Sequence, residues 1–258
     1  MPDRNSNHRS SHFLSGKPQG AAPTADAADA AAHTIAPFPE GKRRRARPPA
    51  AAPAYAELLA ASNFSFLRGA SHPGELAATA RHLGLAGLAV ADRNSLAGSV
   101  RAHAAARQAG LKSVVGCRLV FADGTPDIAA WVSDRAAYGR LCRLLSEGNL
   151  RTKKGDCRLT LADLLRWGGG LQLAVLPERR IGENLAPALA TLREAFAGSV
   201  RLGVTCLYHG DDRRRLAQCA AIARDTGVPL IALGDVLYHD RARRPLQDVL
   251  TCIREHVT

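Results

Sequence analysis

The chain has 258 residues, of which 46% are hydrophobic and 5% aromatic, and its formal net charge is +12 with a pI near 10.1. This length allows one large domain or two small ones with a buried core, and the positive charge favours contact with nucleic acid or another acidic surface. The absence of a long apolar run and the polar N-terminus predict a cytoplasmic protein with no membrane contact and no signal peptide.

The cysteine pattern argues against a disulfide framework or a zinc ribbon. No two of the six cysteines form a Cys-x-x-Cys pair. Scattered single cysteines are typical of reduced thiols in a cytosolic protein. They lie at Cys117, Cys142, Cys157, Cys206, Cys219 and Cys252.

Residues 1–52 are rich in Ala, Pro, Ser and Arg and show no sustained hydrophobic period. This composition predicts a disordered tail. The tail contains the basic run KRRRARPP, and arginines recur near the C-terminus. Such runs contact nucleic-acid phosphates in some proteins and are merely solvated in others, so both interpretations stay open. The candidate nucleic-acid contacts are Lys42, Arg43, Arg44, Arg45, Arg241, Arg243 and Arg244.

From Tyr55 onward, strand-like and helix-like segments alternate. The predicted strands are YAELLAA, LAGLAVAD, KSVVGCRLVFAD, DIAAWVS, LQLAVLP, SVRLGVTCLY and a buried VPLIALGDV. The predicted helices are 75–83 and 96–109, closed by Gly84 and Gly110, then AAYGRLCRLLSEG, LTLADLLRW, 184–196, 211–226 and 245–255. This alternation predicts a parallel α/β domain over 53–258.

Two features lie at the predicted strand ends. Asp92 and Asp235 each follow an apolar strand, where an aspartate either caps the next helix or belongs to a site at the carboxyl ends of parallel strands. The loop SNFSFLRGASHP contains Gly69, which allows a tight turn, and Ser71, which is predicted to cap the helix that begins at Pro73.

Three long stretches carry a family resemblance. They are SNFSFLRGASHPGELAATARHLGLAGLAVADRNSLAGSV, VVGCRLVFADGTPDIAAWVS and ALGDVLYHDRARRPLQDVLTCIREH. Together they resemble the polymerase-and-histidinol-phosphatase (PHP) domain of bacterial C-family DNA polymerases, most closely the error-prone branch. The resemblance implies a PHP-type distorted seven-stranded (β/α) barrel. It also implies that 244–258 lead toward a polymerase body, and that the chain is truncated before the palm domain.

In active members of this family, histidines, acids and sometimes a cysteine hold divalent metals at the carboxyl ends of the strands. By resemblance, the ligand positions that this sequence has lost are Leu59, Ala61, Arg93, Arg118 and Leu237. The retained, vestigial candidates are Asp92, Cys117, His209, Asp235 and His239. Leucine and alanine offer no lone pair, and arginine brings positive charge to a cation's place. We therefore expect no metal or other cofactor in this chain.

The arginines suggest a replacement for the metal. Arg93 or Arg118 is predicted to form an ion pair with Asp92 or Asp235 and so to stabilise the fold without a cation. The alternative is that the retained residues have purely structural roles: the aspartates cap helices, Cys117 packs in the core, and His209 and His239 are polar loop residues.

The resemblance implies a role in error-prone, translesion DNA synthesis during repair. The full-length family copies DNA with magnesium and works with the sliding clamp and accessory mutagenesis proteins. This chain contains no palm aspartates, so its predicted role is that of a structural domain without catalytic residues. The alternatives are a residual metal-dependent phosphoesterase or exonuclease, and a nucleic-acid-binding remnant.

Overall fold

The computed structural model describes residues 54–257. The predicted tail, with Lys42, Arg43, Arg44 and Arg45, lies outside these residues. Within them, seven strands form one sheet. The strands are β1 (Ala56–Ala60), β2 (Gly87–Arg93), β3 (Lys112–Leu119), β4 (Ile128–Val132), β5 (Leu171–Val175), β6 (Val200–Val204) and β7 (Leu230–Ala232).

Helices lie between most of the strands, close to the predicted positions. They are α1 (Pro73–His82), α2 (Ser99–Gln108), α3 (Arg135–Leu150), α4 (Leu161–Trp167), α5 (Leu185–Ala195), α6 (Asp212–Thr226) and α7 (Arg244–Glu255). Gly84 and Gly110 follow the first two helices with positive φ angles of 71° and 65°, as expected for helix-ending glycines. Among residues 54–257, none of the helices is long and apolar enough to cross a membrane.

The strands of the sheet follow chain order from β1 to β7, and the direction of one strand differs from the prediction. Strands β1 to β3 are parallel, as are β5 to β7, but β4 is antiparallel to both of its neighbours. The expectation of a wholly parallel sheet is therefore wrong at β4. The cause is the short connection between β3 and β4, which contains no helix. A parallel pair needs a crossover long enough to return the chain to the same end of the sheet.

The two edges of the sheet meet through the segment that follows β7. The amide of Ala61 donates to the carbonyl of Val236 at 2.8 Å, and the amide of Val236 donates to the carbonyl of Leu59 at 3.1 Å. The amide of Ala70 donates to Leu237 in the same way. The predicted last strand is thus shorter and more exposed than expected, because β7 has three residues and the segment after it closes the barrel.

The barrel interior is built from small side chains around one tryptophan. In β2, Leu88 and Val90 pack toward the helices, whereas Ala89 and Ala91 point into the barrel with Trp131. This is the two-residue alternation of a strand that is buried on both faces. The indole Nε1 of Trp131 donates to the carbonyl of Leu58 at 2.8 Å, so its polar atom is satisfied.

Asp92 anchors the loop SNFSFLRGASHP and does not cap a helix. It is the penultimate residue of β2 and is 2% exposed. Its carboxylate accepts hydrogen bonds from the amide and hydroxyl of Ser62, both at 2.8 Å, and from the hydroxyl of Ser65 at 2.6 Å. A buried carboxylate needs such partners. The helix-cap interpretation of Asp92 is therefore wrong.

The predicted cap at Ser71 is also wrong. The residue that precedes α1 is His72, whose amide donates to the side chain of Glu75 at 2.8 Å. Ser71 lies one residue too early to cap the helix. Its hydroxyl is 2.8 Å from Nδ1 of His239 and accepts a hydrogen bond from the amide of His239 at 2.9 Å. Ser71 thus ties the loop to the segment after β7.

Gly69 is required by the close approach of the backbone at Ala61 and Ser62. A Cβ atom at Gly69 would collide with the carbonyl group of Ser62. We expect Gly69→Ala to lower the free energy of unfolding by about 1–3 kcal/mol, because backbone must move to make room. Urea unfolding followed by circular dichroism measures this change.

The matched control is Gly139→Ala, on the exposed side of α3, where a Cβ would meet nothing within 4 Å. This variant should raise the free energy of unfolding by about 0.5–1 kcal/mol, because alanine loses less backbone entropy in a helix. Equal effects of the two alanine substitutions would contradict the packing argument.

Candidate functional site

A cavity of about 220 Å³ opens at the carboxyl ends of β1, β2 and β3 and at the segment after β7. We call it the arginine cavity, after the four arginines in its lining: Arg68, Arg93, Arg118 and Arg254. The five positions that the resemblance gives as lost metal ligands, together with Asp235, all line this one cavity: Leu59, Ala61, Arg93, Arg118, Asp235 and Leu237. The structure thus brings these separated positions together.

Arg118 bridges two carboxylates across the mouth of the barrel. Its Nε lies 2.9 Å from Oδ2 of Asp127, and its Nη1 lies 3.1 Å from Oδ1 of Asp235. All three side chains are partly buried. The predicted pairing of Arg118 with Asp235 is confirmed, so Asp235 holds an arginine and does not cap a helix. Arg118 connects β3, the residue before β4 and the closing segment.

Arg93 takes a different partner from the two that were predicted. Its Nη1 lies 3.8 Å from Oδ2 of Asp127, and it makes no ion pair with Asp92 or Asp235. Burial lowers the pKa of Arg93, and the positive charge of Arg118 lowers it further while Asp127 acts in the opposite direction. The bridging carboxylate Asp127 is thus shared by two guanidinium groups.

The backbone at Asp235 adopts the left-handed conformation, with φ of 51°. This region is uncommon for residues other than glycine, although aspartate and asparagine tolerate it better than most. The carboxylate is bound to Arg118, and the next residue, Val236, pairs with β1. These contacts hold the turn at Asp235 from both sides.

Of the five vestigial metal-ligand candidates, only Asp235 lines the cavity. Asp92 has its carboxylate occupied by Ser62 and Ser65. Cys117 is fully buried in the main core, its thiol donates to the carbonyl of Asp92 at 3.2 Å, and burial raises its pKa. Its assignment to the core is confirmed.

The two histidine candidates lie outside the arginine cavity. His209 is exposed in the loop after β6. His239 is held by Ser71, with Oε2 of Glu75 at 3.7 Å from its Nδ1. Among residues 54–257, no group of three or more His, Cys, Asp or Glu side chains could hold a metal ion.

Residues that the sequence did not predict complete the cavity. Arg68 comes from the SNFSFLRGASHP loop, and Gln247, Thr251 and Arg254 come from α7. The helical residues recur at intervals of four and three, which places them on one face of α7. This spacing of polar residues is the feature of the sequence that could have predicted their place in the cavity. Nη1 of Arg254 donates to the carbonyl of Leu67 at 2.8 Å and so attaches the helix to the loop.

The C-terminal candidates for nucleic-acid contact differ in their exposure and in their ion pairs. Arg241 and Arg244 are exposed, and Nε of Arg244 lies 3.8 Å from the carboxylate of Asp248. Arg243 is engaged with Glu75 of α1 and is only partly exposed. Arg241 and Arg244 therefore remain accessible, whereas Arg243 connects α7 to α1.

Comparison with known proteins finds similarity to the PHP domain and to error-prone DNA polymerases. Residues 58–174 match the model of the PHP domain. The chain is 51% identical over 211 residues to an error-prone DNA polymerase of Rhodopseudomonas palustris and 53% identical over 205 residues to error-prone DNA polymerase 1 of Rhizobium meliloti. These alignments cover 80% and 79% of the chain but only 19% and 18% of the relatives. The chain thus spans about a fifth of the length of the curated relatives it matches.

Solved structures agree with the barrel fold. A crystal structure assigned as a metal-dependent phosphoesterase of Bifidobacterium adolescentis superposes with a TM-score of 0.54, at 16% identity, over 73% of this chain and 89% of that chain. An amidohydrolase of Chromobacterium violaceum gives a TM-score of 0.52 at 17% identity, over 76% of this chain and 97% of its own. At these identities the likeness concerns the fold alone.

The Arg118 bridge makes a direct prediction about stability. Arg118→Gln should lower the free energy of unfolding by about 2 kcal/mol, because it removes two charge-assisted hydrogen bonds and leaves Asp235 without its partner. The control is Arg244→Gln, whose ion pair with Asp248 is exposed and should contribute less than about 0.5 kcal/mol. Urea unfolding at neutral pH compares the two. A loss of equal size in both variants would rule out a special role for Arg118.

Proposed function

We propose that this chain contains a PHP domain of the error-prone DNA polymerase type, and that the domain is a structural part of such a polymerase and not a metal-dependent phosphoesterase. The observation that carries the proposal is the chemistry of the arginine cavity. Its lining offers one carboxylate, Asp235, and four guanidinium groups where the family pattern has metal ligands.

This donor set does not fit a divalent metal cluster. Hard cations need several oxygen or nitrogen donors that are free to coordinate. Leu59, Ala61 and Leu237 have none. The carboxylate of Asp235 is already bound by Arg118. Cations placed beside four guanidinium groups would also be repelled. We therefore assign to Arg118 the bridging role that a metal ion has in active members of the family.

The test of this proposal is metal dependence. The purified chain should contain far less than one equivalent of zinc, manganese or iron by mass spectrometry. EDTA should leave its thermal midpoint unchanged, because the bridge at Arg118 needs no cation. Added Mn²⁺ should produce no hydrolysis of bis-p-nitrophenyl phosphate. Metal-dependent hydrolysis that co-purifies with the chain and is lost in Asp235→Asn, which changes the one carboxylate in the cavity lining, would instead support the phosphoesterase alternative.

Helix α7 supports the structural role, because its polar side faces inward and its apolar side faces outward. Gln247 is the one residue of α7 that is buried in the described part of the chain. The C-terminal segment that includes α7 exposes four large apolar side chains, each 41–58% accessible and spaced by three or four residues: Leu246, Val249, Ile253 and Val257. An apolar face of this kind is typical of a surface that another part of a protein covers.

We assign this face to the polymerase body. The relatives are about four times as long as the chain, so most of their length is available to cover it. In the proposed full-length enzyme, the PHP domain supports magnesium-dependent, error-prone DNA synthesis past lesions during DNA repair in the cytoplasm. The sliding clamp and accessory mutagenesis proteins are the partners that the family implies. DNA contact would come from the polymerase body, with Arg241 and Arg244 as phosphate contacts.

An immunoblot of source cells, with an antibody raised to residues 54–257, tests whether the domain belongs to a longer protein. We expect a band far above 27.4 kDa, the mass of this chain. A single band at that mass would contradict the assignment to a polymerase.

A substitution on α7 tests the docking face. Ile253→Lys should lower the thermal midpoint of the long protein by several degrees, because a charge enters a buried apolar contact. In the 258-residue chain alone the same change should have little effect, since Ile253 is 53% exposed there. Val100→Lys, on exposed α2, is the control and should leave both proteins unchanged. A shift of equal size with and without the polymerase body would mean that the face is not covered.

A further inference from the structure

The positive charges in the arginine cavity are not all balanced. Arg118 is neutralised by Asp127 and Asp235. Arg254 has a partner in Glu255, with Nε and Oε1 2.8 Å apart. The remaining two cations are Arg93 and Arg68. Arg93 reaches Asp127 only at 3.8 Å, and that carboxylate is already used by Arg118.

Arg68 is the most unusual of the four arginines. Its guanidinium makes no hydrogen bond and no ion pair with any of the residues 54–257. Burial lowers its pKa, and the charges of Arg93, Arg254 and Arg118 lower it further. Like charges held together in a partly buried site cost free energy unless an anion compensates them. Among residues 54–257, the negative charge of Asp127 raises the pKa of Arg68, but that carboxylate is already bound by Arg118, so Arg68 has no ion-pair partner of its own.

A second unsatisfied group faces the same cavity. Gln247 is 6% exposed, and its side-chain oxygen has no hydrogen-bond partner in the described part of the chain. Buried polar groups in native proteins are nearly always paired. An amide oxygen accepts hydrogen bonds, so a phosphate oxygen cannot satisfy it. A ligand that completes this site would have to offer Gln247 a donor, such as a hydroxyl or amino group of a nucleotide.

An adjoining groove adds an aromatic surface. It encloses about 730 Å³ and shares Arg68, Arg93 and Arg254 with the arginine cavity. Phe64, Phe66 and Phe121 also line it, and we call it the aromatic groove. The ring of Phe66 is 81% exposed, which is high for a phenylalanine that contributes nothing to a core. Guanidinium groups and an accessible aromatic face therefore adjoin one another.

One loop carries both kinds of group in a fixed arrangement. Phe66 and Arg68 lie in the SNFSFLRGASHP loop, which the buried carboxylate of Asp92 anchors through Ser62 and Ser65. The amide of Arg68 donates to the carbonyl of Ser65 at 2.8 Å. A loop held in this way keeps its exposed side chains in place before a ligand arrives, which reduces the entropic cost of binding.

We propose that the arginine cavity and the aromatic groove form a metal-independent nucleotide site. Arg68 and Arg93 would bind a phosphate group, and Phe66 would stack on the base. Guanidinium groups match the geometry of phosphate oxygens, and aromatic side chains accept any base on their faces. The nucleotide is either free or the terminal residue of a single DNA strand, since both present the same phosphate and base. No bond is broken in this site.

The binding experiment uses the whole 258-residue chain in EDTA at low salt. The probe is a fluorescein-labelled oligodeoxythymidylate with a 5′-phosphate, followed by fluorescence anisotropy, and the comparison probe ends in a 5′-hydroxyl. Free dTMP and inorganic phosphate serve as competitors. Stronger binding of the phosphorylated probe supports a strand end. Competition by dTMP as strong as by the unlabelled phosphorylated strand supports a free nucleotide.

Two pairs of variants test the residues. Arg68→Ala should weaken binding of the phosphorylated probe about tenfold, because it removes a charge-assisted contact to phosphate. Arg107→Ala, which removes the same charge from the exposed end of α2, is its control and should change binding less than about twofold. Phe66→Ala should weaken binding of the strand and of dTMP about fivefold or more, through lost stacking, and leave inorganic phosphate unaffected. Leu83→Ala, exposed after α1, is the control for Phe66.

Three results would overturn the proposal. They are equal weakening by Arg68→Ala and Arg107→Ala, no effect of Phe66→Ala on dTMP, and no binding of any probe. Phe66→Ala alters a highly exposed ring and should fold normally, so it decides the question even if Arg68→Ala is unstable. The inference goes beyond the structural role, and the immunoblot and EDTA results do not depend on it. The two proposals can therefore fail separately.

Discussion

The barrel depends on how its open edge between β1 and β7 is closed. The closing segment is paired with β1 through Val236, and the residue before it, Asp235, is held by Arg118 from β3. A single guanidinium thus connects strands that are far apart in the sheet order and fixes the turn at Asp235 in its left-handed conformation. The bridge fixes one side of the arginine cavity, where lining residues lie at the strand ends, and the SNFSFLRGASHP loop and α7 supply the other side.

The alternation of apolar strands and amphipathic helices was enough to predict an α/β domain, and the family resemblance added the seven-stranded barrel. The direction of β4 was not, because it depends on a missing helix in a connection that otherwise looks ordinary. The roles of Asp92 and Ser71 were also mispredicted. Both residues satisfy a local capping pattern, but their partners come from Ser62 and His239, which are distant in sequence. Local patterns cannot reveal a partner that only tertiary packing brings close.

The candidate site, like the fold, could be predicted from the sequence only in part. The positions that the resemblance gives as lost ligands converge, because four of them lie at the carboxyl ends of β1, β2 and β3 and Leu237 lies in the segment that closes the barrel. The pairing of Arg118 with Asp235 is one of the four pairings that were predicted from the arginines at the former ligand positions, and it is present at 3.1 Å. Asp127, Arg68 and Gln247 were not predicted, because their contribution depends on the course of a loop and on which face of α7 packs inward.

Helix α7 connects the two proposals, because one side of it lines the cavity and the opposite side is apolar and exposed. This arrangement is the reverse of an ordinary surface helix, which buries its apolar side. An inward polar side suits a cavity that contains arginines, and an outward apolar side then needs cover from elsewhere. Arg254 contributes to the cavity and also attaches α7 to the loop through Leu67. A substitution at Arg254 would disturb both surfaces, whereas Arg68 and Ile253 each belong to only one of them.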